Sequence, residues 1–299
     1  MTTDGPSIDR ATLNGILAMI AALFGFVVND AFVKFLSEEM PLGEIIFIRG
    51  VVSAFAIGAL IAVRGDWPGR RLATDRFVFL RNVGEIGATV FYLTALTQLP
   101  LANAVSILQA MPFAITAVAA LLLGEQVGWR RWSAILVGFF GVLLIVRPGA
   151  EGFNAYTIFA VIAVGFLTLR DMATRYVDPG VSTLAITFST TILVTAVGAI
   201  MGLTETWIVP DLRQFALIAA ASVFLLIGYV FVILAMRQGE VSVIAPFRYT
   251  IVLWALVIDF LVWSKIPSWL TFAGIAIVVG SGLYIFFRER RVAGGPPPD

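Results

Sequence analysis

Long apolar runs separated by short charged or Pro/Gly-containing breaks dominate the sequence. There are ten such runs, at about 13–36, 44–63, 77–98, 101–123, 129–146, 155–175, 181–202, 212–236, 240–263 and 268–287. A helix needs about 20 mostly apolar residues to cross a bilayer, whereas the strands of a membrane β-barrel would alternate over about ten residues. The pattern therefore predicts an all-α integral membrane protein with ten transmembrane helices.

Composition narrows the possible chemistry. The 299 residues are 60% apolar and 13% charged, against about 25% charged in an average soluble domain. The chain has neither Cys nor His, which removes thiolate and imidazole ligands and the usual nucleophile–base pairs. We expect no enzymatic activity, no cofactor and no metal. The net charge of +1 gives no reason to expect a nucleic-acid partner.

The distribution of Lys and Arg predicts the orientation. If the N-terminus is cytoplasmic, twelve of these residues lie in inner loops and four lie at outer ends. Positive residues concentrate on the cytoplasmic side of membrane proteins, so both termini are expected inside. The tail 292–299 contains Gly-Gly-Pro-Pro-Pro and is expected to be disordered.

The chain also matches itself at an offset of 140 to 141 residues. Asp30, Lys34 and Phe35 align with Asp171, Arg175 and Tyr176, and Trp129 aligns with Trp269. This offset divides the chain into two five-helix repeats, 11–148 and 154–288. Because five is odd, the second repeat would enter the membrane from the opposite side. Inverted repeats in transporters place the substrate near mid-bilayer, so we predict a secondary transporter that works by alternating access.

Several motifs support this prediction. A Gly124-Glu125 pair precedes the fifth run, that run ends in Arg147-Pro148-Gly149, and the ninth contains Ala245-Pro246-Phe247-Arg248-Tyr249. These motifs resemble the EamA-type halves of the drug/metabolite transporter superfamily. In the second half Lys265 stands where the family usually has Glu. The resemblance implies ten helices around a central cavity in a bacterial inner membrane, and is nearest to amino-acid and small-metabolite exporters, aromatic amino-acid exporters among them.

Two charges within spans are the main candidates for substrate binding. Glu85 and Arg248 each lie eight residues into a span, or roughly 12 Å deep. Charges at this depth are costly and usually face the interior of the bundle. Our hypothesis is that they bind the ammonium and carboxylate of an amino acid. The alternative is structural: Glu85 pairs with Arg81, and Arg248 bonds backbone carbonyls freed beside Pro246.

Other residues complete the candidate set. Five further polar side chains lie within spans, and we expect one to three of them to line the cavity and the others to bond across helices: Asn82, Tyr92, Gln109, Tyr229 and Tyr249. Trp254 could form an apolar wall of the cavity. Two pairs could be gating or structural ion pairs: Asp30 with Arg49, and Arg170 with Asp171. Pro112 and Pro246 lie inside spans and predict helix kinks.

Three readings of the function follow. We favour export of amino acids, aromatic and other neutral, or of related small metabolites. S-adenosylmethionine-like metabolites or lipophilic drugs are alternatives for the same fold, and a membrane channel is an alternative of a different class. The expected partners are a small-molecule substrate and membrane lipid, with a monomer as the simplest assembly.

Overall fold

The architecture is described by a computed structural model. It describes residues 10–65, 69–122, 124, 127–147, 154–237 and 241–293. Within these ranges the chain is helical and contains no β-strand. This confirms the predicted all-α fold class.

Thirteen α-helices and one 3-10 helix are present in the described ranges. They are α1 Arg10–Leu36, α2 Leu42–Arg64, α3 Arg70–Thr74, α4 Arg76–Gln98, α5 Leu101–Leu108, α6 Met111–Leu122, α7 Trp129–Val146, α8 Tyr156–Thr174, α9 Thr183–Met201, α10 Leu212–Arg237, α11 Val241–Ile244, the 3-10 helix Ala245–Tyr249, α12 Thr250–Trp263 and α13 Trp269–Ala293. Most boundaries lie within a few residues of the predicted runs.

Nine helical segments of the described chain are long and apolar enough to cross a membrane. The helix α4 has 23 residues but is not one of the nine, since it carries Arg76, Arg81 and Glu85. The predicted count of ten spans therefore depends on α4, and that count and the orientation stay predictions.

The helices pair in a pattern that an exchange of the two halves would preserve. Counting α5–α6 as the fourth span and the 3-10 helix with α12 as the ninth, span one packs on span eight, and span three packs on span six. Span two packs on span seven, and span five packs on span ten. Each of these contacts maps onto another one, or onto itself, when the halves are exchanged. The two repeats, 11–148 and 154–288, remain a prediction, which this pairing supports.

Two glycines show the same relationship at close helix contacts. A Cβ at Gly228 of α10 would lie 2.6 Å from the Phe26 ring of α1, and a Cβ at Gly87 of α4 would meet the Phe166 ring of α8. The two glycines are 141 residues apart and the two phenylalanines are 140 apart. Only a residue without a side chain lets these helices approach so closely.

Both of the prolines predicted to kink a span lie at a break in the helical backbone. A turn at Gln109–Ala110 separates α5 from α6 directly before Pro112. Pro246 lies in the 3-10 helix between α11 and α12. Of the other sequence predictions, the motif residues Glu125, Pro148 and Gly149 lie outside the described residues. The helix α13 continues through Ala293, and the rest of the predicted tail, 294–299, also lies outside them.

Candidate substrate-binding site

A polar cavity of about 250 Å³ lies between α1, α2, α4, α9 and α10. It has room for about eight water molecules at ~30 Å³ each. Its polar lining comprises Asn29, Asp30, Arg49, Ser53, Arg81, Glu85, Thr89, Tyr92, Thr187, Thr190, Thr191 and Tyr229. Four ionisable charges, two of each sign, therefore face one small space within a largely apolar bundle.

The charge of the Glu85 carboxylate is partly neutralised by Arg170, which lies outside the cavity lining. Arg170 Nη1 lies 3.2 Å from Glu85 Oε2, and Arg170 Nε lies 2.7 Å from Asp171 Oδ1. Arg170 and Asp171 belong to α8 and are not among the lining residues of the cavity. The structure thus joins two residues that the sequence placed in separate groups, because α4 and α8 pack along their length.

Arg81 reaches the cavity one turn before Glu85. Its Nη1 donates to Thr190 Oγ1 of α9 at 2.7 Å. The Thr190 hydroxyl is itself 2.6 Å from the acceptor Asn82 Oδ1. Asn82 is 6% exposed and lies behind Arg81 rather than in the lining. Thr190 and Asn82 therefore orient Arg81.

The opposite end of the lining contains Asp30 and Arg49, joined through Asn29. Tyr92 Oη donates to Asp30 Oδ2 at 2.6 Å, and Asn29 Nδ2 donates to Asp30 Oδ1 at 2.9 Å. Arg49 Nη1 donates to Asn29 Oδ1 at 3.2 Å. Asn29 thus bridges the acid and the cation, which do not form a direct ion pair.

Both arginines of the lining lack an acidic partner. Among the residues that the structure describes, no carboxylate oxygen lies within 4 Å of the guanidinium of Arg49 or Arg81. Arg49 is only 9% exposed. A buried cation without a counter-charge is costly, by several kcal/mol in typical cases. Such a cost is characteristic of sites whose anion comes from a ligand.

Four predicted site residues lie elsewhere. Arg248 is exposed and belongs to the 3-10 helix, and Tyr249 of the same segment packs against Gly282. Gln109 caps α5 at the break before α6. Trp254 stacks edge-on with Phe24 at 5.0 Å in a separate apolar groove. The structure does not bring these residues to the polar cavity.

The position of Arg248 has a local cause. The backbone around Arg248 tightens to 3-10 geometry over Ala245–Tyr249. A 3-10 turn has 3.0 residues rather than 3.6, so the side chains project in different directions from those of a straight helix. The cation beside Glu85 in this cavity is Arg81.

The sequence did not identify Asn29, Arg81, Ser53 or Thr190 as site residues. Arg81 lies within a span one turn from Glu85, but this spacing by itself predicts only an i,i+4 ion pair. Ser53 lies one turn from Arg49, is 5% exposed, and its Oγ has no hydrogen-bond partner among the described residues. Small polar residues of this kind are common in membrane helices and give no distinct signal.

A second group of buried charges lies at the end of α4 that is predicted to face outward. We call Lys34 and Asp259, with the α4–α5 junction, the junction clamp. Lys34 Nζ donates to Leu96 O at 2.8 Å and to Leu99 O at 2.6 Å. The Asp259 carboxylate accepts from Leu101 N at 3.0 Å and Ala102 N at 2.7 Å.

The signs of these two charges suit the helix ends that they meet. A cation is favourable at the carbonyl end of α4, and an anion at the N–H end of α5. Lys34 is 5% exposed and Asp259 is fully buried. From the sequence alone Lys34 is one of the four basic residues expected at outer ends and Asp259 has no predicted role, because nothing local shows that a residue of α12 caps α5.

Loop contacts tie the helices at both membrane surfaces. At the predicted cytoplasmic surface Asp75 caps α4 at Phe77 N and accepts from Asp178 N at 2.8 Å. That backbone donor, with those of α4, lowers the pKa of Asp75. At the predicted outer surface Arg213 and Gln214 hydrogen-bond Glu39 and lower its pKa.

A charged cavity enclosed by apolar helices fits a multi-pass membrane transporter. Residues 13–147 match the sequence pattern of the EamA-like transporter family. This confirms the resemblance to the drug/metabolite transporter superfamily and the predicted placement in a membrane.

Curated relatives are similar over nearly the whole chain. A pseudopaline exporter of Pseudomonas aeruginosa is 29% identical over 89% of this chain and 93% of its own. An S-adenosylmethionine uptake transporter of Rickettsia prowazekii is 24% identical over 94% and 95%. A riboflavin transporter of Vibrio cholerae is 23% identical over 96% and 100%. A solved crystal structure of another protein aligns with TM-score 0.64 at 19% identity, over 95% of this chain and 100% of that one, which supports the fold alone.

Proposed function

We propose that this protein is a secondary transporter that exports amino acids, aromatic and other neutral ones included, or related small metabolites by alternating access. The observation that carries the proposal is the cavity in which Arg81, a cation without an acidic partner, lies one helical turn from Glu85. An amino acid has its carboxylate and ammonium on one carbon, so a cation and an anion on one helix face suit its head group.

In this proposal Arg81 binds the substrate carboxylate and Glu85 binds the ammonium. Arg81 can present a planar pair of N–H donors to a carboxylate. Glu85 shares Arg170 with Asp171, so it keeps acceptor capacity for a second cation. The rings of Tyr92 and Tyr229 border the same space. This role for Arg81 replaces the one that the sequence suggested for Arg248.

Alternating access is supported by where the cavity lies. Its lining combines α1, α2 and α4 from the predicted first repeat with α9 and α10 from the second. Transporters with inverted repeats bind substrate at such an interface and open it to either side in turn. We propose that α4 also crosses the membrane, as the third of ten spans, with its charged face toward the cavity.

One alternative substrate keeps a specific basis. Relatives named as S-adenosylmethionine uptake transporters align over 94% of the chain, and that metabolite also carries an amino-acid head group. A lipophilic drug would leave the guanidinium groups of Arg49 and Arg81 desolvated without an anionic partner, so the cavity disfavours that class.

Counterflow in liposomes tests the proposal. Purified protein is reconstituted into liposomes that contain one unlabelled compound, and entry of the same compound in labelled form is followed. The compounds tested are phenylalanine, glutamine, glutamate, S-adenosylmethionine and a cationic dye. We expect exchange of compounds with an amino-acid head group, and a loss of roughly tenfold or more in Arg81→Gln. Arg76→Gln, an exposed arginine on the same helix, is the matched control. Exchange of the dye alone would contradict the proposal.

A further inference from the structure

We infer that the preferred substrate of this cavity carries a second carboxylate, which Arg49 and Ser53 bind. The inference rests on the proposed function, since Arg81 and Glu85 are taken to hold the amino-acid head group. It adds a second anion subsite at the other end of the cavity. The chemical class is an aminodicarboxylate, of which glutamate and its one-carbon-longer homologue are simple members.

The first argument is the polar groups left unused beside Arg49. Its guanidinium has the amide oxygen of Asn29 at 3.2 Å, and no carboxylate within 4 Å among the described residues. Ser53 follows one turn later on α2, is 5% exposed, and its Oγ has no hydrogen-bond partner in the described part of the chain. A buried cation beside a buried, unpartnered hydroxyl is the donor set that a carboxylate accepts from.

The second argument is that neither acid of the cavity forms a direct ion pair with Arg49. Glu85 is paired with Arg170 at 3.2 Å. Asp30 accepts from Tyr92 and Asn29 instead of pairing with Arg49. A neutral zwitterion has one carboxylate, and placing it at Arg81 leaves Arg49 buried without a carboxylate in direct contact. A second carboxylate removes that cost.

The third argument is the separation, along α9, of the levels at which α4 and α2 pack against it. Arg81 meets α9 at Thr190. Gly50, the neighbour of Arg49 in sequence, packs against Thr195 of the same helix. Five residues separate these two contacts, or about 7.5 Å along the helix axis. One carboxylate is too small to serve both levels, whereas the two carboxylates of a short aminodicarboxylate reach across such a gap.

Glutamate and glutamine provide a test at constant shape. Equilibrium binding of each labelled amino acid is measured with the purified full-length protein in detergent or nanodiscs. We expect glutamate to bind at least about tenfold more tightly than glutamine, since a desolvated charge pair distinguishes them. A wild-type ratio near one, or one that favours glutamine, would overturn the inference and leave the proposed function standing. Binding of neither glutamate, glutamine nor phenylalanine would overturn both.

Variants then assign the subsites. Arg49→Gln should bring the glutamate-to-glutamine ratio close to one, and Ser53→Ala should lower it in part. Arg81→Gln should weaken both ligands together and leave the ratio high. Arg64→Gln and Arg76→Gln, both exposed, are the matched controls and should leave both affinities unchanged. A high ratio in Arg49→Gln would overturn the assignment, and the wild-type ratio decides the substrate class even if that variant does not fold.

Discussion

The junction clamp and the polar cavity are two groups of buried charges that differ in their hydrogen-bond and ion-pair partners. In the junction clamp both charges are used by the protein itself, because Lys34 meets two carbonyls at the end of α4 and Asp259 meets two N–H groups at the start of α5. In the cavity, Arg49 and Arg81 face open space without an acidic partner among the described residues. Burial alone therefore does not indicate function, and the presence or absence of a partner does. Substitutions in the clamp should lower stability, and those in the cavity should lower substrate binding.

The largest effect on stability is expected in the clamp. Asp259→Asn removes one acceptor and the charge from two buried hydrogen bonds, and should cost roughly 2–3 kcal/mol, or about 5–10 °C in Tm. Thermal unfolding in detergent, followed by tryptophan fluorescence, measures it. Lys265→Gln changes an exposed charge nearby and should have little effect. An unchanged Tm in Asp259→Asn would show that the clamp does not hold the junction.

The largest effect on transport is expected at Glu85. Glu85→Gln should reduce counterflow by roughly tenfold or more, with a small change in Tm because Arg170 keeps Asp171 as its partner. The matched variant is Asp171→Asn, which removes the other acid of Arg170 but lies outside the cavity lining, and should reduce counterflow less. Equal losses in the two variants would mean that Glu85 acts only by holding Arg170.

A smaller effect is expected at Thr190, which positions Arg81. Thr190→Val keeps the shape of the side chain but removes the acceptor 2.7 Å from Arg81 Nη1. The half-saturating substrate concentration should rise roughly 3- to 10-fold, with the maximal rate changed less. Thr190→Ser should restore the wild-type value. Thr195→Val is the control, because that hydroxyl bonds only its own helix. A fall in rate alone would argue against a positioning role.

The smallest effect is expected at the membrane surface, where Asp75 links α4 to the loop before α9. Its pKa is lowered by the N–H donors of Asp178, Phe77 and Val78. A group with a lowered folded-state pKa adds stability above its unfolded pKa of about 3.9, and this is lost as the pH falls through the folded value. Asp75→Asn should therefore cost about 1 kcal/mol or less at pH 7, and the cost should shrink as the pH falls below the unfolded pKa and through the folded one. Tm against pH for both proteins checks this, and parallel curves would contradict it.

The fold was largely predictable because a bilayer constrains each helix separately. Apolar length and charged breaks gave boundaries within a few residues of most helices, and the offset between Asp30 and Asp171 agrees with the helix pairing. The helix α4 shows the limit of this reasoning. Its charges make it the least apolar of the long helices, and the same charges line the cavity.

The site was predicted only in part because its contacts join distant helices. Glu85 was identified from its depth, but its partner Arg170 lies 85 residues further along the chain. The depth of Arg248 also indicates a site residue, but depth does not give direction, and Arg248 is exposed in the 3-10 segment Ala245–Tyr249. Nothing in the sequence distinguishes Asp259 as a functional or structural residue, since its partners are backbone N–H groups that any sequence would supply.

The division between the two groups of charges is tested most directly by substrate affinity and Tm measured together on Arg81→Gln and Asp259→Asn. The labelled substrate is the amino acid that counterflow shows to be exchanged. Arg81→Gln should lose roughly tenfold or more in affinity with a Tm close to that of the wild type. Asp259→Asn should bind with wild-type affinity in its folded fraction despite its lower Tm. The reverse pattern, with affinity lost at Asp259 and only stability lost at Arg81, would contradict the account.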